Sequence, residues 1–378
     1  MNKSSLFALA LLSFAAPLSA QPPLSIGGEK LITLTRKPVS QSKPEFTSIT
    51  LMPGRGMELL SITANFPGKG VVQVLSDPGT AAAEQALDHD DSATGNAGYS
   101  FGAAFLVPYP NRIRGKLSPD GKTVTVAWQR HSLTLPANNV GKNPGAERHA
   151  MHGLILRSRA TDLHISRMPG GEQATAVIHA GDFGGHWISK TDLVFTISLT
   201  ADAVDATIVA HNIGNQAEPM AIGWHPYFNL PSGQREQVRI HIPASQMAQV
   251  DNYDNVFPTG KLRPVAGTRF DMRAPDGRAL GKNYYDDNWS RLYWKNGAVT
   301  IKIIDPAAHY GVAIQGLSPQ IKTLQMYAPP GKSFVAIEDQ DNFADPFGKE
   351  WHGMDTGMVT LQPDQSTKWH VRLQVFVP

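Results

Sequence analysis

The sequence predicts an all-β fold, antiparallel and contained in a single domain, and three observations predict it. Apolar residues recur with period two along most of the chain. Glycine and proline are abundant, 34 and 28 among 378 residues, which supplies turns between many short elements. No segment carries a sustained helical period, the longest candidate being the short run from Ala81 to Leu87.

The alternation is clearest in mid-chain. Leu193, Phe195, Ile197 and Leu199 alternate with Asp192, Val194, Thr196 and Ser198, and after Ala201-Asp202-Ala203 the pattern resumes as Val204, Ala206, Ile208 and Ala210. This spacing predicts a hairpin with a three-residue turn and one buried face. The same period marks Val238 to Ile242, Val299 to Ile303, Trp369 to Val377, and Thr123 to Trp128 after Gly121-Lys122. Pro306 to Tyr310 and Pro329-Pro330-Gly331 read as turns. Strands follow strands, so an antiparallel sandwich is the expected architecture. No composition shift divides the chain after residue 45. Residues 45–378 are therefore read as one domain, and residues 21–44 as a polar extension without a clear period.

Lys+Arg number 34 and Asp+Glu 32, a formal net charge of +2, which gives no reason to expect nucleic acid or an anionic membrane as a partner. The chain has no cysteine, so disulfides, thiolate nucleophiles and cysteine–zinc sites are excluded. Met1-Asn2-Lys3, the apolar run Ser4 to Leu18, and Ser19-Ala20 before Gln21-Pro22-Pro23 have the layout of a secretory signal over residues 1–20. The run is too short for a membrane span. The expectation is a periplasmic or secreted protein with no membrane attachment after cleavage.

Several motifs have plain structural readings. Gly98-Tyr99-Ser100-Phe101-Gly102 matches G-x-S-x-G, but an acidic loop precedes it and Pro108 and Pro110 follow, where a nucleophile elbow needs a strand and then a helix. Asp88, Asp90 and Ser92 alternate like calcium ligands, yet the glycine spacing and the missing bidentate Glu favour a solvated loop. His149 and His152 are three apart, which strand alternation places on opposite faces, against a shared metal. Two segments carry more chemistry. Gly223 to Leu230 sets His225 among aromatics, either a packed core histidine or a sugar-holding edge. Phe334 to Gln340 ends an apolar run on Glu338, either an exposed strand end or a partly desolvated carboxylate at a core edge with a raised pKa.

Together, in order along the chain, these segments resemble the aldose 1-epimerase (galactose mutarotase) family. Asn111-Arg112-Ile113 is similar to its N-R-I motif, Met151-His152-Gly153 to L-H-G-G, and His225-Pro226-Tyr227-Phe228-Asn229-Leu230 to H-x-Y-F-N-L. Asp286-Asp287-Asn288-Trp289 resembles D-H-N-F, Gln325-Met326-Tyr327 resembles Q-x-Y, and Ile337-Glu338-Asp339-Gln340 resembles L-E-x-Q. The resemblance implies a large antiparallel β-supersandwich and interconversion of the anomers of a free aldose, with a small sugar as partner, no cofactor and no metal, in a monomer or homodimer. It implies Glu338 as the base at O1 and His225 as the acid at ring oxygen O5, on opposite sides of the hemiacetal. It implies His152, Arg112, Asn111, Asp286 and Gln325 as sugar-binding residues. The chain departs from the pattern at Leu154, at Trp224 and at Pro108-Tyr109-Pro110, changes expected to touch the sugar pocket. The insertion Gly181 to Trp187 is a candidate lining segment. Two other readings remain open: a carbohydrate-binding protein without turnover, and another sugar enzyme such as a glycosidase, using Asp286 with Glu338 or Asp339 with Glu338.

Overall fold

The computed structural model describes residues 24–76, 78–90, 92 and 94–378, and the expected signal over residues 1–20 lies outside them. Two large antiparallel sheets form the sandwich. One has nine strands in the order Thr161–Met168, Gly171–Gly181, Thr191–Leu199, Val204–Asn212, Ser366–Phe376, Tyr310–Gly316, Val299–Asp305, Arg239–His241 and Arg278–Ala279. The other has eleven. It runs Pro258–Pro264, Ala244–Val250, Tyr285–Leu292, Thr323–Ala328, Phe334–Gln340, Gly223–Asn229, Ala103–Leu106, Glu58–Phe66, Glu45–Met52 and Ile32–Thr35, with Gly70–Gln73 also paired to Glu58–Phe66.

The alternating apolar sets of the sequence make the inner faces. Leu193, Phe195, Ile197, Ile208, Val371 and Leu373 are all buried in one continuous core. Aromatic rings tie the layers together: Phe105 meets Phe195 at 5.5 Å and Trp369 at 6.1 Å between centroids, and Phe66 meets Tyr310 at 5.2 Å. Burying each such side chain contributes about 1.5–3 kcal/mol relative to exposure.

Two local expectations change. The mid-chain hairpin pairs Leu199 with Val204, so its turn is Thr200–Ala203, one residue longer than expected. Thr200 joins the turn because its hydroxyl oxygen accepts the Ala203 N–H at 3.1 Å. The segment read as an aperiodic extension contains Ile32–Thr35, which pairs with Glu45–Met52 and buries Leu34 at the sheet edge. Its four residues of alternation, between Lys30 and Arg36-Lys37-Pro38, are too few to register as a period. The helix expected near Ala81–Leu87 spans Thr80–Asp88 and buries Ala83 and Leu87 against Ile26, Met52 and Leu60.

Candidate active site

Strand pairing brings the distant motifs together. In the eleven-stranded sheet, Gly223 pairs with Gln340 and Tyr227 with Ala336, so His225 lies across from Glu338. Glu338 pairs in turn with Gln325, and Gln325 with Asn288. One step along, Tyr227, Ala336, Tyr327 and Asp286 form a second row. Because side chains alternate across a strand, both rows share one face. The opposite parity, including Trp224, Phe228, Ile337 and Met326, faces the other sheet and joins the core. The site is thus the outer face of a central part of the sheet, roofed by loops.

Two of those loops are set by backbone geometry. Asn111 (φ 63°) and His152 (φ 61°) are both left-handed, and the Asn111 carbonyl accepts the His152 N–H at 2.9 Å. Asn tolerates this conformation; for His it is uncommon and held by the surroundings. Gly153 follows at φ 74°, where a Cβ would collide with the Val107 backbone carbonyl.

A directional hydrogen-bond network links the residues. Arg112 has no acceptor, so it starts the chain. One guanidinium nitrogen donates to Asn111 Oδ1 at 3.0 Å and another to Asp286 Oδ2 at 3.4 Å. The Asn111 amide donates to Gln325 Oε1 at 3.2 Å and Gln340 Oε1 at 3.3 Å. Gln325 donates to Asp286 Oδ1 at 2.7 Å, closing a ring, and Gln340 donates to Glu338 Oε2 at 2.7 Å. The other Glu338 oxygen, Oε1, lies 3.2 Å from His225 Nε2.

Both members of that pair are buried, and each environment opposes charge. Desolvation, then the Asp286 carboxylate, push Glu338 well above the usual carboxylate range, with Arg112 and Gln340 opposing. Desolvation, with Arg112 adding to it, takes His225 down to about 4. Between those limits the pair holds one proton. Oε2 accepts from Gln340, which leaves Oε1 facing His225 Nε2. Desolvation also holds His152 well below the ordinary histidine range, with His225 and Arg112 contributing. Its ring meets Tyr99 at 4.9 Å and His225 at 5.1 Å between centroids.

All seven residues singled out in the sequence (Asn111, Arg112, His152, His225, Asp286, Gln325 and Glu338) line one cavity of about 350 Å³. That volume lies within the ordinary range for small-molecule sites. A broader cleft of about 710 Å³ near Asp271 and Arg273 contains no such convergent pair. Sequence reasoning assigned no site role to Tyr99, Tyr253, Tyr284 or Gln340, the last named only within the L-E-x-Q segment. Gln340 shares parity with Glu338 and was open to that argument; the first three sit on loops or strand ends without a period.

Several expectations are corrected. His225 and Glu338, expected on opposite sides of the hemiacetal, lie side by side, because their strands are direct neighbours in the sheet. O1 and O5 are both attached to C1, so adjacent groups still reach both. Glu338 is not at a core edge but in a central strand. Asp339 has the opposite parity and is buried beneath the sheet, so it forms no carboxylate pair with Glu338 in the cavity. Trp224 and Tyr109 are core residues. The Gly181–Trp187 segment does not line the cavity. It buries Phe183 and Trp187, whose indole N–H donates to the Pro219 carbonyl at 2.8 Å, since its apolar rings favour the core. Leu154 packs at the core margin. Gly98–Ser100 is a single helical turn followed by the Ala103–Leu106 strand, so no nucleophile elbow forms. Both ring nitrogens of His149 meet protein groups, the Glu147 carbonyl and the Asn139 amide.

Comparison with known proteins follows the same lines. The sequence matches the aldose 1-epimerase family over residues 70–374. It is similar to Homo sapiens galactose mutarotase, 32% identical over 98 residues, covering 25% of this chain and 28% of that protein. It is also similar to the uncharacterised protein YihR of Escherichia coli (strain K12), 23% identical over 150 residues, covering 40% and 43%. The matched stretches thus span less than half of either relative. Among solved structures, a galactose mutarotase-like protein from Clostridium acetobutylicum aligns with a TM-score of 0.71 at 19% identity, covering 93% of this chain and 97% of that one. A GalM/aldose epimerase homologue from C. elegans aligns at 0.67 and 17% identity, covering 92% and 99%. These structures share the fold. The family match runs through every strand that carries the His225–Glu338 pair and its network, and on it the chain belongs to the aldose 1-epimerase family.

Proposed function

We propose that the protein is an exported aldose 1-epimerase that interconverts the α and β anomers of a free aldose. The observation that carries this is the 3.2 Å contact between His225 and Glu338, two buried groups with oppositely shifted pKa values at the floor of a polar cavity. Ring opening needs a proton taken from the anomeric hydroxyl and a proton given to the ring oxygen. With its proton passed to His225, Glu338 accepts the O1 proton as His225 donates to O5. The C1–O5 bond breaks and an open-chain aldehyde forms. Rotation about C1–C2 presents the other carbonyl face. Closure on that face returns both protons and leaves C1 inverted. Arg112, Asn111, Asp286 and Gln325 hold the hydroxyls, and His152 stands beside the ring as a further polar contact. Such acid/base participation is worth about 10²–10⁴ in rate.

Polarimetry on freshly dissolved α-D-glucose, α-D-galactose and other aldoses tests the reading. At least one sugar should equilibrate faster than in buffer alone; no acceleration across the panel would remove it. The same assay gives a pH profile. One proton on the pair is the working state, so kcat/KM should hold a plateau between the lowered His225 value and the raised Glu338 value. It should fall toward about pH 4, where His225 takes a second proton. It should also fall at high pH, where the raised Glu338 gives up the shared one. An acid limb near 6.5, the ordinary histidine value, would contradict the buried pair.

Export rests on the composition of residues 1–20. A periplasmic or secreted product whose N-terminus is Gln21, read by mass spectrometry, is the expected result; an intact Met1 in the cytoplasm would oppose it.

A further inference from the structure

We infer that Asp345, which lies outside the cavity, is a positioning residue that aims Arg112 at the sugar. This rests on the anomer-exchange reading, which makes Arg112 a sugar contact. Arg112–Ile113 is a strand of two residues, paired on one side with Ala150–Met151. Asp345 takes the other side. Its backbone N–H donates to the Arg112 carbonyl at 2.6 Å, and its Oδ1 accepts the Arg114 N–H at 2.8 Å. One residue thus makes both bonds that a residue of a neighbouring strand would make. It does so from a left-handed backbone, φ 49°, a conformation that Asp adopts more readily than most residues. That conformation turns its own carbonyl away, to the Gly348 N–H at 2.9 Å and the Trp351 indole N–H at 3.1 Å, so the side chain serves as the acceptor.

Asn342 extends the clamp, its amide donating to the Pro110 carbonyl at 3.3 Å. Pro110, Arg112 and Arg114 are thus held at every second residue by one stretch of chain. That stretch continues directly from the strand Phe334–Gln340, which carries Glu338. The segment that sets the base therefore also sets the backbone from which the guanidinium reaches Asn111 and Asp286. A long, flexible side chain is aimed only as well as its backbone is fixed, and small misplacements of a substrate contact are costly. Asp345 is buried, and Oδ2 has no protein donor among the described residues. The Glu350 carboxyl lies against it. Burial, with Glu350 adding to it, raises the Asp345 pKa, while the Arg114 N–H opposes. An amide imitates an acid that keeps its proton, retains the Oδ1 acceptor and tolerates the left-handed backbone.

The test is a double-mutant cycle on the protein as exported, with the aldoses of the polarimetric panel as probes. Polarimetry gives kcat and KM, and calorimetry gives Kd. D345A should raise KM and Kd about threefold to tenfold and change kcat less. D345N, which keeps the acceptor, should stay within about twofold of the parent. R112A alone should weaken binding about tenfold or more. In the R112A background D345A should add almost nothing, because the side chain it aims is gone. A residue that only supports the fold would cost the same in both backgrounds. If D345A does not fold, D345G, which is free of strain at φ 49°, decides in its place. The positioning role is overturned if D345A binds and turns over the sugar as the parent does, if its loss is equal with and without Arg112, or if D345N loses as much as D345A. A parent that binds sugar without turning it over removes anomer exchange, and the cycle is then decided on Kd. Turnover with equal losses in the two backgrounds does the reverse. A parent that neither binds nor turns over any aldose of the panel removes both.

Discussion

Glu338→Gln should lower kcat by about 10²–10⁴-fold and leave the protein folded. The substitution keeps the shape of the side chain and its place beside His225 and Gln340, but an amide does not accept the O1 proton. Stability separates this from a structural failure. Burial raises the Glu338 pKa in the folded state, so the folded form holds the proton more tightly than the unfolded form. The stability linked to that proton is fully present below the unfolded carboxylate pKa. It is lost as pH rises toward the folded value. Gln carries no such proton, so at neutral pH the variant should unfold at a temperature equal to or above that of the parent. Polarimetry and thermal unfolding on the same preparation decide it. Activity within tenfold of the parent would take Glu338 out of the proton transfer. A large fall in unfolding temperature would assign the loss to packing.

The fold was largely legible because period two is a local signal. Leu193 to Leu199 and Trp369 to Leu373 each announce a buried face without reference to any other strand. What joins them was not legible. Gly223–Asn229 and Phe334–Gln340 are more than a hundred residues apart, and only their pairing places His225 against Glu338. The motifs named the residues, but the register made them a site. Parity also went unread where both faces are buried. Phe334–Gln340 has no exposed side, so its apolar and polar residues did not separate into core and solvent, and Asp339 looked as available as Glu338. The same blindness made Trp224 look like a pocket change. Tyr253 and Tyr284 gave no pattern, since loop backbone has no period and their position depends on hydrogen bonds to Asp287 and on neighbouring rings.

Trp224→Ala should destabilise the protein by about 3–5 kcal/mol, the range for truncating a fully buried aromatic. The indole is 1% exposed and meets Trp369 of the other sheet at 5.8 Å and Phe228 at 6.3 Å between centroids. Its loss opens a cavity between two layers that do not collapse independently. Trp224→Phe keeps most of the contact and should cost clearly less. Trp224→Asn should cost at least as much as Ala, because it adds a buried amide without partners to the lost volume. Urea unfolding should show lower midpoints with an unchanged slope. In the fraction that remains folded, KM for the sugar should move little, because Trp224 and His225, though adjacent in sequence, point to opposite faces of the sheet. A large shift in KM at constant stability would return Trp224 to the pocket wall. It would also undo the alternation that puts His225, Glu338 and Gln325 on one surface, and with it the His225–Glu338 contact.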